Sequence, residues 1–157
     1  MKKQILSIAL GLTMMAIGTT TYATDKNPES GAKLTANEKV VKDFNNKFKS
    51  SVNPVIHSAK DGFIAKSLVD GYEITSAYDK KGNWVYTIKH YPADNLASDI
   101  IYIVEGSFDN YLITAMDKVD QPGNESVYIV YLENCNSFKT LRVVNNEVEL
   151  TQDFQKG

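Results

Sequence analysis

Apolar and polar residues alternate along this chain with two different periods, and the change of period marks its elements. From Thr35 the apolar positions are Val40, Val41, Phe44 and Phe48, an i, i+1, i+4, i+8 stripe. Lys39, Lys42, Asn46 and Lys49 take the other side. This pattern predicts an amphipathic helix over Thr35–Ser50 that lays its stripe on a sheet. Thr35 with Glu38 has capping-box spacing, and Pro54 is expected to stop the helix. Four short runs rich in β-branched and aromatic residues follow: Val55–Ala59, Phe63–Val69, Tyr72–Tyr78 and Trp84–Tyr91. Asp61-Gly62 and Asp70-Gly71 mark tight turns between them. The strongest local signal is the hairpin of Tyr72–Tyr78 and Trp84–Tyr91. Its polar turn, Asp79 to Asn83, carries Gly82 to take a positive φ.

Pro92 breaks the strand pattern. Asp94 or Asn95 is then placed to cap a second helix with Leu96, Ile100, Ile101 and Val104 on one side and Gly106 at its end. Four more strands are expected: Asn110–Val119, Ser126–Glu133, Phe138–Val144 and Glu147–Phe154. Asn145-Asn146 suits a two-residue hairpin loop. In the last strand Val148, Leu150 and Phe154 alternate with Glu149, Thr151 and Asp153, so one side should be wet. The order is helix and four strands, twice over. It predicts an α+β fold of two helices packed on one face of an antiparallel eight-stranded sheet. It also suggests an internal duplication of units 35–91 and 92–157 within one domain, 35–157.

The first residues read differently. Lys2 and Lys3 precede an apolar run, Ile5–Ile17, and Thr21-Tyr22-Ala23 offers small residues to a signal peptidase. Residues 1–23 are therefore expected to be a secretory signal, which implies a periplasmic or secreted protein without a stable membrane anchor. Residues 24–34 are polar, with Pro and Gly, and suit a flexible leader. Net charge is −2 and no basic tract exists, which argues against nucleic acid as a partner. Cys135 is the lone cysteine, so disulfides within the chain cannot staple the fold.

The hairpin residues carry a resemblance. Asp70-Gly71-Tyr72-Glu73-Ile74, followed by Ala77-Tyr78-Asp79-Lys80-Lys81-Gly82-Asn83-Trp84, resembles a pattern of the PepSY-like, β-lactamase-inhibitor-protein-like (BLIP-like) proteins exported by Bacteroidetes and similar bacteria. Pro92 with the following helix and Tyr111 looks like the junction between their two units. The likeness spans about Val40 to Phe154. It implies a tandem α-β4 fold and an exported location; its functional suggestion is binding or inhibition of another protein. The second unit has no Trp, and Asn145-Asn146-Glu147 stands where a Gly-bearing turn is expected.

Candidate chemistry is sparse. His57 and His90 lie on separate strands without metal-ligand spacing. No Ser or Cys stands in a nucleophile motif, and no Gly-rich loop cradles phosphate. No cofactor and no enzymatic role are expected. Aromatic residues are the suggestive feature. Strand alternation would put Trp84 and Tyr86 on one face and Tyr91 on the other. Tyr72 would share a face with Tyr78, whereas Tyr128 and Tyr131 would lie on opposite faces. Tyr72, Tyr78, Trp84, Tyr86 and Tyr131 are the candidate binding residues for an unidentified protein or peptide on an open sheet face. The other place for each ring is the core beneath the helices, the commoner one for aromatics. Two further readings stand beside this one: a small-ligand carrier with a cystatin-like or NTF2-like cone, and a hydrolase.

Overall fold

The computed structural model describes residues 35–157, so the signal and leader expected over 1–34 lie outside the described residues. Helix α1 runs Ala36–Lys47 and is followed by strands β1 (Ser51–Ala59), β2 (Gly62–Val69), β3 (Tyr72–Asp79) and β4 (Trp84–Pro92). A single 3-10 turn, Ala93–Asn95, leads to α2 (Ser98–Glu105). Strands β5 (Leu112–Asp120), β6 (Val127–Glu133), β7 (Ser137–Val144) and β8 (Glu147–Gln155) complete the chain. All eight strands form one antiparallel sheet in sequence order. β1 and β8 are its edges, so the sheet does not close into a barrel.

Each helix packs its stripe on the strands that follow it, except that Val41 of the expected α1 stripe is exposed. Val40 and Phe44 of α1 pack with Ala65, Val69, Ile74 and Tyr78. Ile100 and Val104 of α2 pack with Met116, Val130, Leu132, Leu141 and Val143. Phe44 is fully buried, a burial worth about 2–3 kcal/mol. Thr35 caps α1 as expected: its hydroxyl oxygen accepts the Glu38 N–H, and the Glu38 carboxylate accepts the Thr35 N–H at 2.8 Å. The hairpin turn then docks under the start of this helix. Asp79 accepts the N–H groups of Asn83 and Lys81, each at 2.8 Å, and these bonds hold its carboxyl below the usual range. Lys39 of α1 donates to Asn83 at 2.5 Å. Turn, helix start and β3–β4 ladder are thus one assembly.

Several expectations need correction. Pro54 does not end α1, which stops at Lys47; it lies inside β1, where Asn53 takes φ 48 and the register shifts between Val52 and Val55. An edge strand tolerates Pro there because its outward N–H has no ladder partner to lose. Neither Asp94 nor Asn95 caps α2: both belong to the 3-10 turn, and Leu96 is extended. The cap is Ala97, without a side-chain bond. Asp99 in the first turn still opposes the positive helix end. Asn145 and Asn146 both take positive φ, as their hairpin loop requires. In β8 the register slips between Thr140 and Leu141, so Leu150 pairs with Leu141 while Phe154 pairs with Phe138. Buried Leu141 packs with the α2 cluster; Phe138 follows helix-side Ser137 in the alternation, on the uncovered face. The expected single wet side of β8 is not found: of its nine residues only Val148 is even partly buried.

Gly82 and Gly123 separate two costs of a side chain. Both have positive φ, +73° and +68°, but a Cβ on Gly82 would meet the Ala36 carbonyl oxygen at 2.6 Å, and one on Gly123 would meet nothing. Gly123→Ala should lose about 1 kcal/mol, the left-handed penalty alone. Gly82→Ala should lose roughly 2–4 kcal/mol, because α1 must also shift. Urea unfolding of both variants measures this; equal losses would mean that the helix does not rest on the turn.

Candidate functional site

Strand register decides which residues face away from the helices. Val130 and Leu132 point into the α2 cluster, so Ile129 and Tyr131 point to the uncovered side. Ile74, Ser76 and Tyr78 lie on the helix side, so Glu73, Thr75 and Ala77 do not. The uncovered face is then built in rows. One row crosses all eight strands: Val52, Leu68, Glu73, His90, Asp117, Ile129, Arg142 and Glu149 are successive cross-strand partners. Beside it run Thr75, Ile88, Val119 and Val127, and beyond these Ile64, Ala77 and Tyr86. The face is therefore mixed: aliphatic and aromatic side chains surround a polar centre at β4–β6, and His57, Lys66, Arg142 and Glu149 lie toward its two edges.

That centre sits where β4 meets β5. His90 Nδ1 lies 2.7 Å from Asp117 Oδ1, and the Tyr131 hydroxyl donates to Asp117 Oδ2 at 2.9 Å. A carboxylate only accepts, so Nδ1 carries the proton in the His90 bond. Asp117 is 21 % exposed and His90 42 %. Burial first, and the Asp117 charge second, push the Tyr131 phenol up to about 12. The cluster orients an imidazole, which is one half of a nucleophilic site. Among the described residues no hydroxyl or thiol is hydrogen-bonded to His90, and no group of three His, Cys, Asp or Glu could hold a metal.

The five candidate aromatics divide. Tyr86 and Tyr131 lie on the uncovered face. Tyr78 is a correction: it is 3 % exposed beneath α1, and its hydroxyl donates to Asp43 at 3.0 Å. Tyr72 packs against the α1 cluster and the Tyr91 ring, 5.0 Å between centroids. Trp84 is turned to the helix side as well, where its indole N–H donates to Thr87 at 2.9 Å and Lys47 covers its ring. The expected Trp84–Tyr86 face is thus wrong, and the cause is local. Tyr78 pairs with Trp84 while Ala77 pairs with Tyr86, leaving Val85 as an extra residue that reverses the alternation. Tyr91 accordingly shares the helix side with Trp84. Tyr128 and Tyr131 do lie on opposite faces. The sequence reading missed His90 and Asp117 as a pair; a carboxylate between Met116 and Lys118 in a strand was the available signal.

A scan against protein-family models and a search of curated proteins found no match. Solved structures do match. A BLIP-like protein from Bacteroides fragilis is 14% identical, with TM-score 0.61 over 80% of this chain and 89% of that one. A DUF2874 family protein from Bacteroides ovatus is 12% identical, with TM-score 0.61 over 79% and 89%. A protein of expected periplasmic location from Bacteroides eggerthii is 9% identical, with TM-score 0.60 over 75% and 87%. At these identities the likeness is one of fold: two helices on an eight-stranded antiparallel sheet of the BLIP-like kind.

The raised Tyr131 pKa has a consequence at high pH. The fold favours the neutral phenol, so this contribution to stability is whole below about pH 10, where an unfolded tyrosine titrates, and is lost as pH rises through about 12. Tyr131→Phe should lose about 1 kcal/mol at pH 7, from the bond to Asp117. Its urea midpoint should then fall less steeply than that of the parent between pH 10 and 12. Parallel declines would show that the fold does not hold this phenol neutral.

Proposed function

We propose that this chain is an exported, non-enzymatic protein that binds, and through binding can inhibit, another protein or peptide on the uncovered face of its sheet. The observation that carries the reading is the composition of that face. Tyr86 and Tyr131 stand on it with Ile64, Ile88, Val119 and Ile129, around the bonded His90–Asp117 pair. Aromatic and aliphatic side chains held by a sheet offer large contact area at little loss of side-chain freedom. Export is supported by the signal pattern of residues 1–23 and by the fold shared with a protein of expected periplasmic location. Binding of an enzyme is supported by the fold shared with a BLIP-like protein. Among the described residues no helix is long and apolar enough to cross a membrane.

The test uses the mature protein as bait on envelope and culture-medium fractions, followed by affinity measurement with the captured partner. Tyr86→Ala with Tyr131→Ala should weaken that affinity by about 30-fold, as loss of a hot spot of roughly 2 kcal/mol does. Tyr102→Ala on the outer side of α2, where Tyr102 is 84% exposed, should leave it unchanged. A partner that binds the double variant as tightly as the parent overturns the proposed face.

A further inference from the structure

The helix-covered side of the sheet holds a feature of its own. Beside the C-terminal end of α1 and the β2–β3 turn lies a groove of roughly 440 Å³, within the size range of small-molecule sites. Phe48, Val69 and Ile74 give it apolar surface, and Lys47, Lys49 and Lys89 face it against the single carboxylate of Asp70.

Lys89 differs from Lys47 and Lys118. Lys47 is paired with Asp43 at 3.1 Å, and Lys118, cross-strand from Lys89, is paired with Asp120 at 3.3 Å. Lys89 has no ion pair among the described residues. Its Nζ is held 3.7 Å from the centre of the Tyr72 ring and 4.7 Å from that of Tyr91. Aromatic faces hold an ammonium in place without neutralising it. The end of α1 acts the other way, since its last carbonyls are electronegative, but Lys47 and Lys49 stand at that end and offset it. The outcome is a positioned, uncompensated positive charge beside apolar surface. Lys47 is taken up by Asp43 and Lys49 is exposed, so Lys89 is the one ammonium held in place and unpaired; with no guanidinium fork near it, it suits one carboxylate better than a phosphate.

We infer that this groove binds a small carboxylate with an apolar body, its charge on Lys89 and its body against Phe48, Val69 and Ile74. The inference does not rest on the docking role of the opposite face.

Amide-resolved NMR titration of the mature protein with 3-phenylpropanoate, and separately with 3-phenylpropanol, tests it. The carboxylate should shift the resonances of Val69, Ile74 and Lys89 saturably, and bind roughly tenfold more tightly than the alcohol. Lys89→Gln should remove that advantage and Lys89→Arg should keep it, whereas Lys66→Gln on the other face should change neither ligand. Equal binding of acid and alcohol, an advantage that survives Lys89→Gln, saturable shifts confined to the uncovered face, or no saturable shift overturns the inference.

Discussion

Side chains along a strand point alternately to its two faces, and one extra residue reverses every side chain beyond it. The layout of the uncovered face depends on that constraint. Helices cover only one side of the sheet, so the parity of each position decides whether a ring lies in the core or on the uncovered face. The slip at Val85 changes parity in mid-strand: Trp84 goes under α1 and Tyr86 goes out. It also aligns Thr87 with Ser76 on the helix side. Their hydroxyls bond at 2.8 Å, and Thr87 accepts the Trp84 indole N–H. Both hydroxyls are buried, so without each other they would cost desolvation energy on the order of 1–3 kcal/mol each. The slip is therefore a specified feature, held by polar groups that only this register satisfies.

The core is divided, and this shapes the rest. One buried cluster lies under α1 and another under α2, and backbone pairing of β4 with β5 carries the sheet from one to the other. On the uncovered side the same junction carries His90, Asp117 and Tyr131, whose two hydrogen bonds cross-link β4, β5 and β6. The candidate contact surface and the join between the halves are thus the same place. A change that loosens Asp117 would disturb both.

Much of this was readable from residue order. The capping box at Thr35, the Asp-Gly and Asn-Asn turns and the period of each run placed both helices and all eight strands in their order, because those signals are local and steric. Bulges were not readable: Val85 looks like any β-branched residue in a strand, and only its partner strand shows it to be surplus. Pro54 misled for a related reason, since a proline forbidden in a central strand is tolerated at an edge, and edge status is a property of the whole sheet. His90 and Asp117 are 27 residues apart on strands joined through α2, so their meeting depends on register across a long connection. Aromatic content singled out five rings, but register puts Tyr72, Tyr78 and Trp84 on the helix side and leaves Tyr86 and Tyr131 uncovered.

Covering the polar centre with a partner has a cost that the geometry keeps small. Burying an unpaired carboxylate costs several kcal/mol, which a modest contact area does not offset. Asp117 avoids most of this, because each of its oxygens already has a donor, one from His90 and one from Tyr131. Tyr131 and Asp117 can therefore lie under a partner without a new bond being made to them. Glu73 differs: it is exposed and opposite His90, with no bond to a donor among the described residues. It either meets a donor on the partner or stays at the wet margin of the contact. The same physics applies at the β7–β8 end of the central row, where Arg142 and Glu149 are exposed at 40% and 66% and only 3.4 Å apart. Such a pair contributes little to binding. A docked partner is thus expected to centre on β4–β6 and to leave β8 at its rim.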